Sequence, residues 1–314
     1  MKNGMIIHPE ELSNTWIDRL ANAGITTLGI HPRGGKEAFE TLRELLDMMQ
    51  TTEYREMIDY AHRRGLEVEY EIHAAGYLMP RELFEEHPEY FRMNENEERT
   101  SDWNFCPSNS EALDIVARRA VELALALYGS CHNYYFWMDD GGHGLYCHCS
   151  KCKQLSQSDQ QLLIANRMVK ELRKQIPDAR VAYLAYQDTI VPPSKIRAGD
   201  GVFLEYAPFE KYTAKGENAT ALIDREIKMV EPLMRFFDSE SKKVLEYWYD
   251  NSLYSRWKKP PAKFVLNEEN MRRDIEMYRT MGFDNISTFA CFLGKDYEDL
   301  YGDVDIIPFA ETIQ

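Results

Sequence analysis

Two spacings alternate along the chain. Short runs of β-branched and aromatic residues give way to longer stretches in which apolar residues return every three or four positions. The short runs predict strands at 5–8, 25–31, 66–73, 133–138, 181–187, 202–207, 243–250 and 286–292. The longer stretches predict helices at 12–23, 36–64, 111–128, 158–176, 219–237 and 268–281. The first helix shows Leu12, Trp16, Leu20 and Ala23 on one face, with Gly24 as its stop; the last begins behind Asn267 as N-cap. Strands that alternate with helices imply a parallel sheet, and eight of them imply a (βα)8 TIM barrel filling residues 1–314 as a single domain. Two places depart from the repeat: a Pro193-marked connection with little room for a helix, and thin sequence after Leu293.

A barrel gathers its chemistry at the carboxyl ends of its strands. Those ends carry His8, His31, Glu71, His73, Asp139, Asp140, Gln187, Glu205, Glu246 and Asp250, with Tyr186, Tyr206, Trp248 and Tyr249 among them. The most unusual stretch is NYYFWMDDGGHGLYCHCSKC, Asn133 to Cys152. Its aromatic strand stops at Asp139 and Asp140, where Gly141 and Gly142 break it and a cysteine loop, 141–156, begins. Carboxylates ending a hydrophobic strand are costly unless they face solvent, a ligand or a partner. A long connection, 74–109, is rich in aromatics and charges and includes Trp103; connections of this length tend to be binding loops or lids.

Carboxylates among flat rings are what sugar chemistry needs: one protonates a leaving oxygen, another answers the positive charge of the transition state, and rings stack on pyranose faces. Asp139 and Asp140 are the candidate catalytic pair, and as neighbours on a strand they point apart and must do different jobs. The competing reading is a loop turn with an Asx cap. Glu246, inside an apolar strand, is the candidate supporting carboxylate, against a structural ion pair with a basic residue of a neighbouring strand. His31, His73, Trp103, Tyr186, Gln187, Glu205, Tyr206, Trp248 and Asp250 are the candidate carbohydrate-binding residues; the two histidines also read as hydrogen-bonded strand ends. Two other functions use the same residues. A divalent-metal sugar isomerase or epimerase would gather His73, Asp140, Glu205 and Asp250 around a hard cation. A non-catalytic barrel would bind carbohydrate without turnover.

The net charge of −15 argues against nucleic acid as a partner, since phosphate binding needs clustered Lys and Arg. No apolar run is long enough to span a bilayer, and MKNGMIIHPEE has no signal core, so no membrane partner and a cytoplasmic location are expected. No cofactor is required by this reading. Of six cysteines, Cys147, Cys149 and Cys152 crowd together while Cys106, Cys131 and Cys291 are scattered, which is no disulfide framework. The trio is either a structural zinc site, with Cys106, His143 or His148 as fourth ligand, or a loop of buried thiols.

From Asp140 the run DGGHGLYCHCSKCKQLSQSDQQLLIANRMVKELRKQIPDARVAYLAYQDTIVPP resembles the bacterial barrels grouped as domain of unknown function 4838. Part of that group is classed as glycoside hydrolase family 163, endo-β-N-acetylglucosaminidases. The shared features are an Asp-Gly before a C-x-C-x-x-C loop, Asn166-Arg167 in the next helix, Ala185-Tyr186-Gln187, and Pro192-Pro193. HPEYF at 87–91, FCPSN at 105–109 and YWYDNSLY at 247–254 also fit, and the likeness spans 67–292. The resemblance implies a barrel related to the hexosaminidases, acting on an N-acetylhexosamine-containing glycan with help from the substrate's acetamido group. Asp139 would orient that group and Asp140, standing where the hexosaminidases have Glu, would protonate the leaving oxygen.

Overall fold

The computed structural model describes residues 1–213, 215, 219–237 and 241–313. Eight parallel strands close into a barrel: β1 (Lys2–Ile7), β2 (Thr27–Ile30), β3 (Glu67–His73), β4 (Asn133–Trp137), β5 (Arg180–Ala185), β6 (Val202–Tyr206), β7 (Lys242–Glu246) and β8 (Asn285–Phe289). Closure is made by β1, which pairs with β2 through Gly4 and Thr27 and with β8 through Lys2 and Asn285. The chain is thus the (βα)8 TIM barrel that the alternating pattern predicts.

Outward-facing strand residues such as Val68, Tyr70 and Ile72 share one hydrophobic core with the surrounding helices. Local chemistry sets the helix boundaries. The predicted helix over 36–64 is two helices, Ala38–Met48 and Thr52–Arg63, because the Thr51 side chain accepts from the Tyr54 N–H and starts a second one. Ser156 and Asn267 cap the helices Gln157–Leu172 and Glu268–Met281 in the same way. The fifth crossover contains only a short 3₁₀ turn, Gln187–Thr189, whereas the thin tail does form helices Lys295–Tyr301 and Ile307–Ile313. No helix among the described residues is long and apolar enough to cross a membrane.

The barrel interior holds a second, separate apolar cluster that includes Ile6, Tyr135, Trp137, Leu184, Phe203, Leu245 and Phe289. Strand parity makes Leu245 and Tyr247 inward-facing and turns Val244, Glu246 and Trp248 to the helices. On β3 the acidic face, Glu69 and Glu71, is the one turned inside. Lys243 on β7 makes that tolerable. Its Nζ lies 2.9 Å from Glu69 and 3.4 Å from Glu205, is hydrogen-bonded to Glu71, and sits 4.0 Å from the centre of the Tyr135 ring. Burial alone would discharge Lys243, but the three carboxylates outweigh it and keep the ammonium charged. One cation cannot satisfy three anions. Burial accordingly pushes Glu71 up to about 7, against the pull of Lys243, and Glu205 well above the usual carboxylate range.

Candidate active site

A cleft of about 650 Å³ opens at the carboxyl end of the barrel, above the interior cluster. Its walls are aromatic (Trp137, Tyr186, Tyr247, Phe289), its polar groups are His8, His31, His73, Asp140 and Asp250, and Arg33, Lys36, Trp257 and Lys259 also line it. That mixture, a mostly apolar hollow with a few converging polar groups, is the composition of a small-molecule site.

The Gly141–Gly142 break after β4 separates the fates of the two aspartates. Asp140 faces the cleft, with the Tyr186 hydroxyl donating toward its Oδ1 at 3.4 Å. Asp139 turns away to Arg81, whose Nη2 lies 2.6 Å from Asp139 Oδ2, and its backbone N–H donates to Asn104 Oδ1 at 2.9 Å. Burial raises the Asp139 carboxyl above its ordinary value even against the Arg81 charge. Asp139 borders a side recess of about 30 Å³, shared with His73, Asp140, Tyr186 and Gln187, and does not line the main cleft. Trp103 is not in the cleft. Its ring lies against Gly141, where a Cβ would come within 2.4 Å of it, so Trp103 braces the turn that presents Asp140.

Asp250 enters the cleft from the turn after β7. Its Oδ1 accepts from Ser252 Oγ at 2.5 Å, Ser252 N at 3.0 Å and Leu253 N at 3.3 Å, capping the short helix Asn251–Tyr254. Burial pushes its carboxyl up to about 6, against those hydrogen bonds. Both Asp140 and Asp250 act on the buried Tyr247 hydroxyl, whose pKa is raised well above its ordinary value, first by burial. Two carboxylates from β4 and β7 therefore face one hollow.

Three imidazoles line the side formed by β1 to β3. His8 Nδ1 is 2.8 Å from the His31 carbonyl, His31 Nδ1 is 2.8 Å from the Glu71 carbonyl, and His73 Nδ1 is 2.7 Å from the Met138 carbonyl. A carbonyl only accepts, so each Nδ1 carries hydrogen. Desolvation lowers the pKa of His8 and His31 and holds both neutral, which leaves Nε2 as an acceptor on each. The strand-end reading and the binding reading of His31 and His73 are thus compatible: one nitrogen is tied down, and the ring still lines the cleft.

Other candidates lie elsewhere. Parity turns Glu246, Tyr206 and Trp248 out to the helices; Tyr206 and Trp248 line a different hollow with Lys211, Asp274 and Tyr278, and Glu246 lies buried behind it. Glu246 is fully buried there, paired with Lys211 and accepting from Tyr212 at 2.6 Å and Tyr278 at 2.5 Å. It is an ion pair of the barrel's outer layer, though its lysine comes from the stretch after β6 and not from a neighbouring strand. The Trp248 indole donates to Asp274 at 3.2 Å. Glu205 faces inward but below the cleft, where Trp137 Nε1 donates to it at 2.8 Å and roofs it over. The isomerase set is therefore dispersed: Glu205 is separated from His73, Asp140 and Asp250 by the Trp137 ring. Among the described residues, the group whose ligand atoms do converge is Cys106, Cys147, Cys149 and Cys152, all within 4.8 Å of one another.

Residues 36–288 match the family described as "Domain of unknown function (DUF4838)". The chain belongs to that family. No curated protein sequence matches this DUF4838 chain. Among solved structures, endo-glycoceramidase II from Rhodococcus sp., in a complex with a cellobiose-like imidazole, aligns with a TM-score of 0.57 at 11% identity, covering 100% of this chain and 78% of the other. A beta-galactosidase from the psychrophilic Marinomonas ef1 aligns with a TM-score of 0.53 at 12% identity, over 92% of this chain and 54% of that one. At such identities the likeness is one of fold. The DUF4838 barrel also brings to its cleft residues absent from the sequence-derived candidates: Arg33, Lys36, Tyr247, Trp257 and Lys259. Arg33 and Lys36 flank Gly34-Gly35 just past β2, so extending each strand end by a few residues finds them. Trp257, 63% exposed in left-handed backbone at φ 53°, carries no periodic signal.

Proposed function

We propose that this chain hydrolyses a glycosidic bond, in a glycan containing an N-acetylhexosamine, with Asp140 as the proton donor. The observation that carries the reading is the pair Asp140 and Asp250, from the ends of β4 and β7, facing one aromatic-walled cleft. Tyr186, 3.4 Å from Asp140 Oδ1, orients the acid toward a glycosidic oxygen. Asp250, ionised above about pH 6, answers the positive charge that develops on the sugar ring. Acceptor nitrogens on His8 and His31 take hydrogen bonds from sugar hydroxyls, and the exposed Trp257 offers a face for a pyranose to stack on. Asp139, held by Arg81, positions its neighbour and contributes to the acetamide side of the site only through the recess that it shares with Asp140. The N-acetyl preference rests on the likeness of the Asp139-Asp140 pair to the hexosaminidase pattern.

The test is product analysis of a panel of oligosaccharides, with and without N-acetylglucosamine, incubated with wild type and with Asp140→Asn. Cleavage beside N-acetylglucosamine by wild type, reduced at least ~100-fold in the variant, supports the reading. Cleavage of other sugars only removes the N-acetyl preference. Cleavage of none, or full activity in Asp140→Asn, overturns the assignment.

A further inference from the structure

We infer that Cys106, Cys147, Cys149 and Cys152 bind one zinc ion, and that this ion clamps together the two loops that hold the Asp139–Gly144 turn. Zinc with Zn–S bonds of about 2.3 Å sets its four sulfurs about 3.8 Å apart. The separations from Cys106 Sγ are 3.7 Å to Cys149 and 3.8 Å to Cys152. A disulfide needs about 2.05 Å, so no pair is bonded. Apolar packing does not explain the group, because among the described residues only the half-buried Met93 packs against it. The surroundings suit thiolate: the Met93 N–H donates to Cys147 Sγ at 3.3 Å, Ser108 Oγ is 3.1 Å from Cys152 Sγ, and Arg99 Nη1 is 3.8 Å from Cys147 Sγ. Four thiolates on one Zn²⁺ leave two negative charges, which the Arg99 guanidinium partly offsets. A surface hollow reaching Cys106 and Cys149 gives an entry path.

The site's place in the fold gives it a consequence. Cys106 ends the 74–109 connection after β3; the other three follow β4. The same two loops meet again at the catalytic turn, through Arg81 to Asp139, Asn104 to both Asp139 N and Leu145 O, and Arg92 to Gly144 O. The ion closes the far end of that contact and takes no part in bond cleavage.

Purified under reducing conditions, the chain should hold about one zinc by elemental mass spectrometry. Cobalt added to chelated protein should give the charge-transfer and d–d bands of a tetrahedral thiolate site. Cys106→Ser, which removes the ligand from the other loop, should weaken those bands and the zinc content. If that variant fails to fold, the wild-type cobalt spectrum decides. Chelation should speed protease cleavage within 74–109 while far-ultraviolet dichroism of the barrel persists. Absence of metal with four reactive thiols, a disulfide, or iron in place of zinc overturns the site. Unchanged cleavage after chelation overturns the clamp. None of these readouts depends on glycosidase activity.

Discussion

Asp140 and Asp250 share a cleft but not an environment. Asp250 is buried and raised to about 6, so its ionised form is lost as pH falls through that value. If Asp250 acts as the carboxylate, kcat/KM should fall tenfold per pH unit below about 6. Asp250→Asn should remove nearly all activity with little change in Tm, because Asn serves as well at an N-cap. A pH–rate profile flat from 5 to 7 would count against it. Gly34 is a second test at this scale. A Cβ there would stand 2.6 Å from His73 Cδ2, so Gly34→Ala should push the imidazole into the cleft and raise KM for a glycan, readable by kinetics on a folded variant. The position of Asp140 at the cleft was legible, because two adjacent carboxylates stop an aromatic strand just before two glycines. It misplaced Glu246 because a carboxylate in an apolar strand signals cost without saying which face the cost is met on. Parity counted from Asp139 or Asp250 could not be carried across turns of unknown shape.

At the scale of elements, the outer face of β7 is where that cost is met. Lys211→Met would leave Glu246 buried without its cation and should destabilise the fold by about 3 kcal/mol, measurable by urea unfolding. Glu246→Gln should lower Tm yet leave kcat/KM unchanged, since Glu246 lies outside the cleft; a large loss of kcat at full folding would return Glu246 to the chemistry. Strand and helix order was legible from period alone, and so was the poor fifth crossover. The break at Thr51 was not, because helical spacing continues through it and only the cap marks the new start. The Asn166-Arg167 pair is part of the family likeness, and its work proves to be structural. Asn166 Oδ1 accepts from Gly199 N at 2.7 Å and Arg167 pairs with Asp114 at 2.8 Å, tying the helix-poor fifth crossover and a neighbouring helix in place.

For the molecule as a whole, buried acids and buried imidazoles pull stability in opposite directions. Burial raises Glu11, Glu71 and Glu226 from 4.5 to about 7, so the folded chain holds their protons and stability falls as pH rises through that interval. Burial lowers His8 and His31 below 6.5, so the folded chain excludes their protons and stability falls as pH drops below 6.5. Of these five groups, only the acids still change above 6.5, and only the histidines do below 4.5. Tm should therefore peak between pH 4.5 and 6.5 and be lower at pH 8 than at pH 6 by at least about 2 °C, checked by calorimetry; a Tm that rises from pH 6 to 8 would refute the accounting. The barrel itself was readable because eight strand–helix repeats leave few other folds. Its charged interior was not, since the partner of Glu69 and Glu71 on β3 is a lysine about half the chain away. That quartet has an inheritance of its own. A lysine at 243 is worth keeping only with acids at 69, 71 and 205, and those acids are tolerable only with the lysine. Across the family these four positions should drift as a block, either all ionisable or all apolar, and a hybrid barrel that mixes the two kinds should fail to fold.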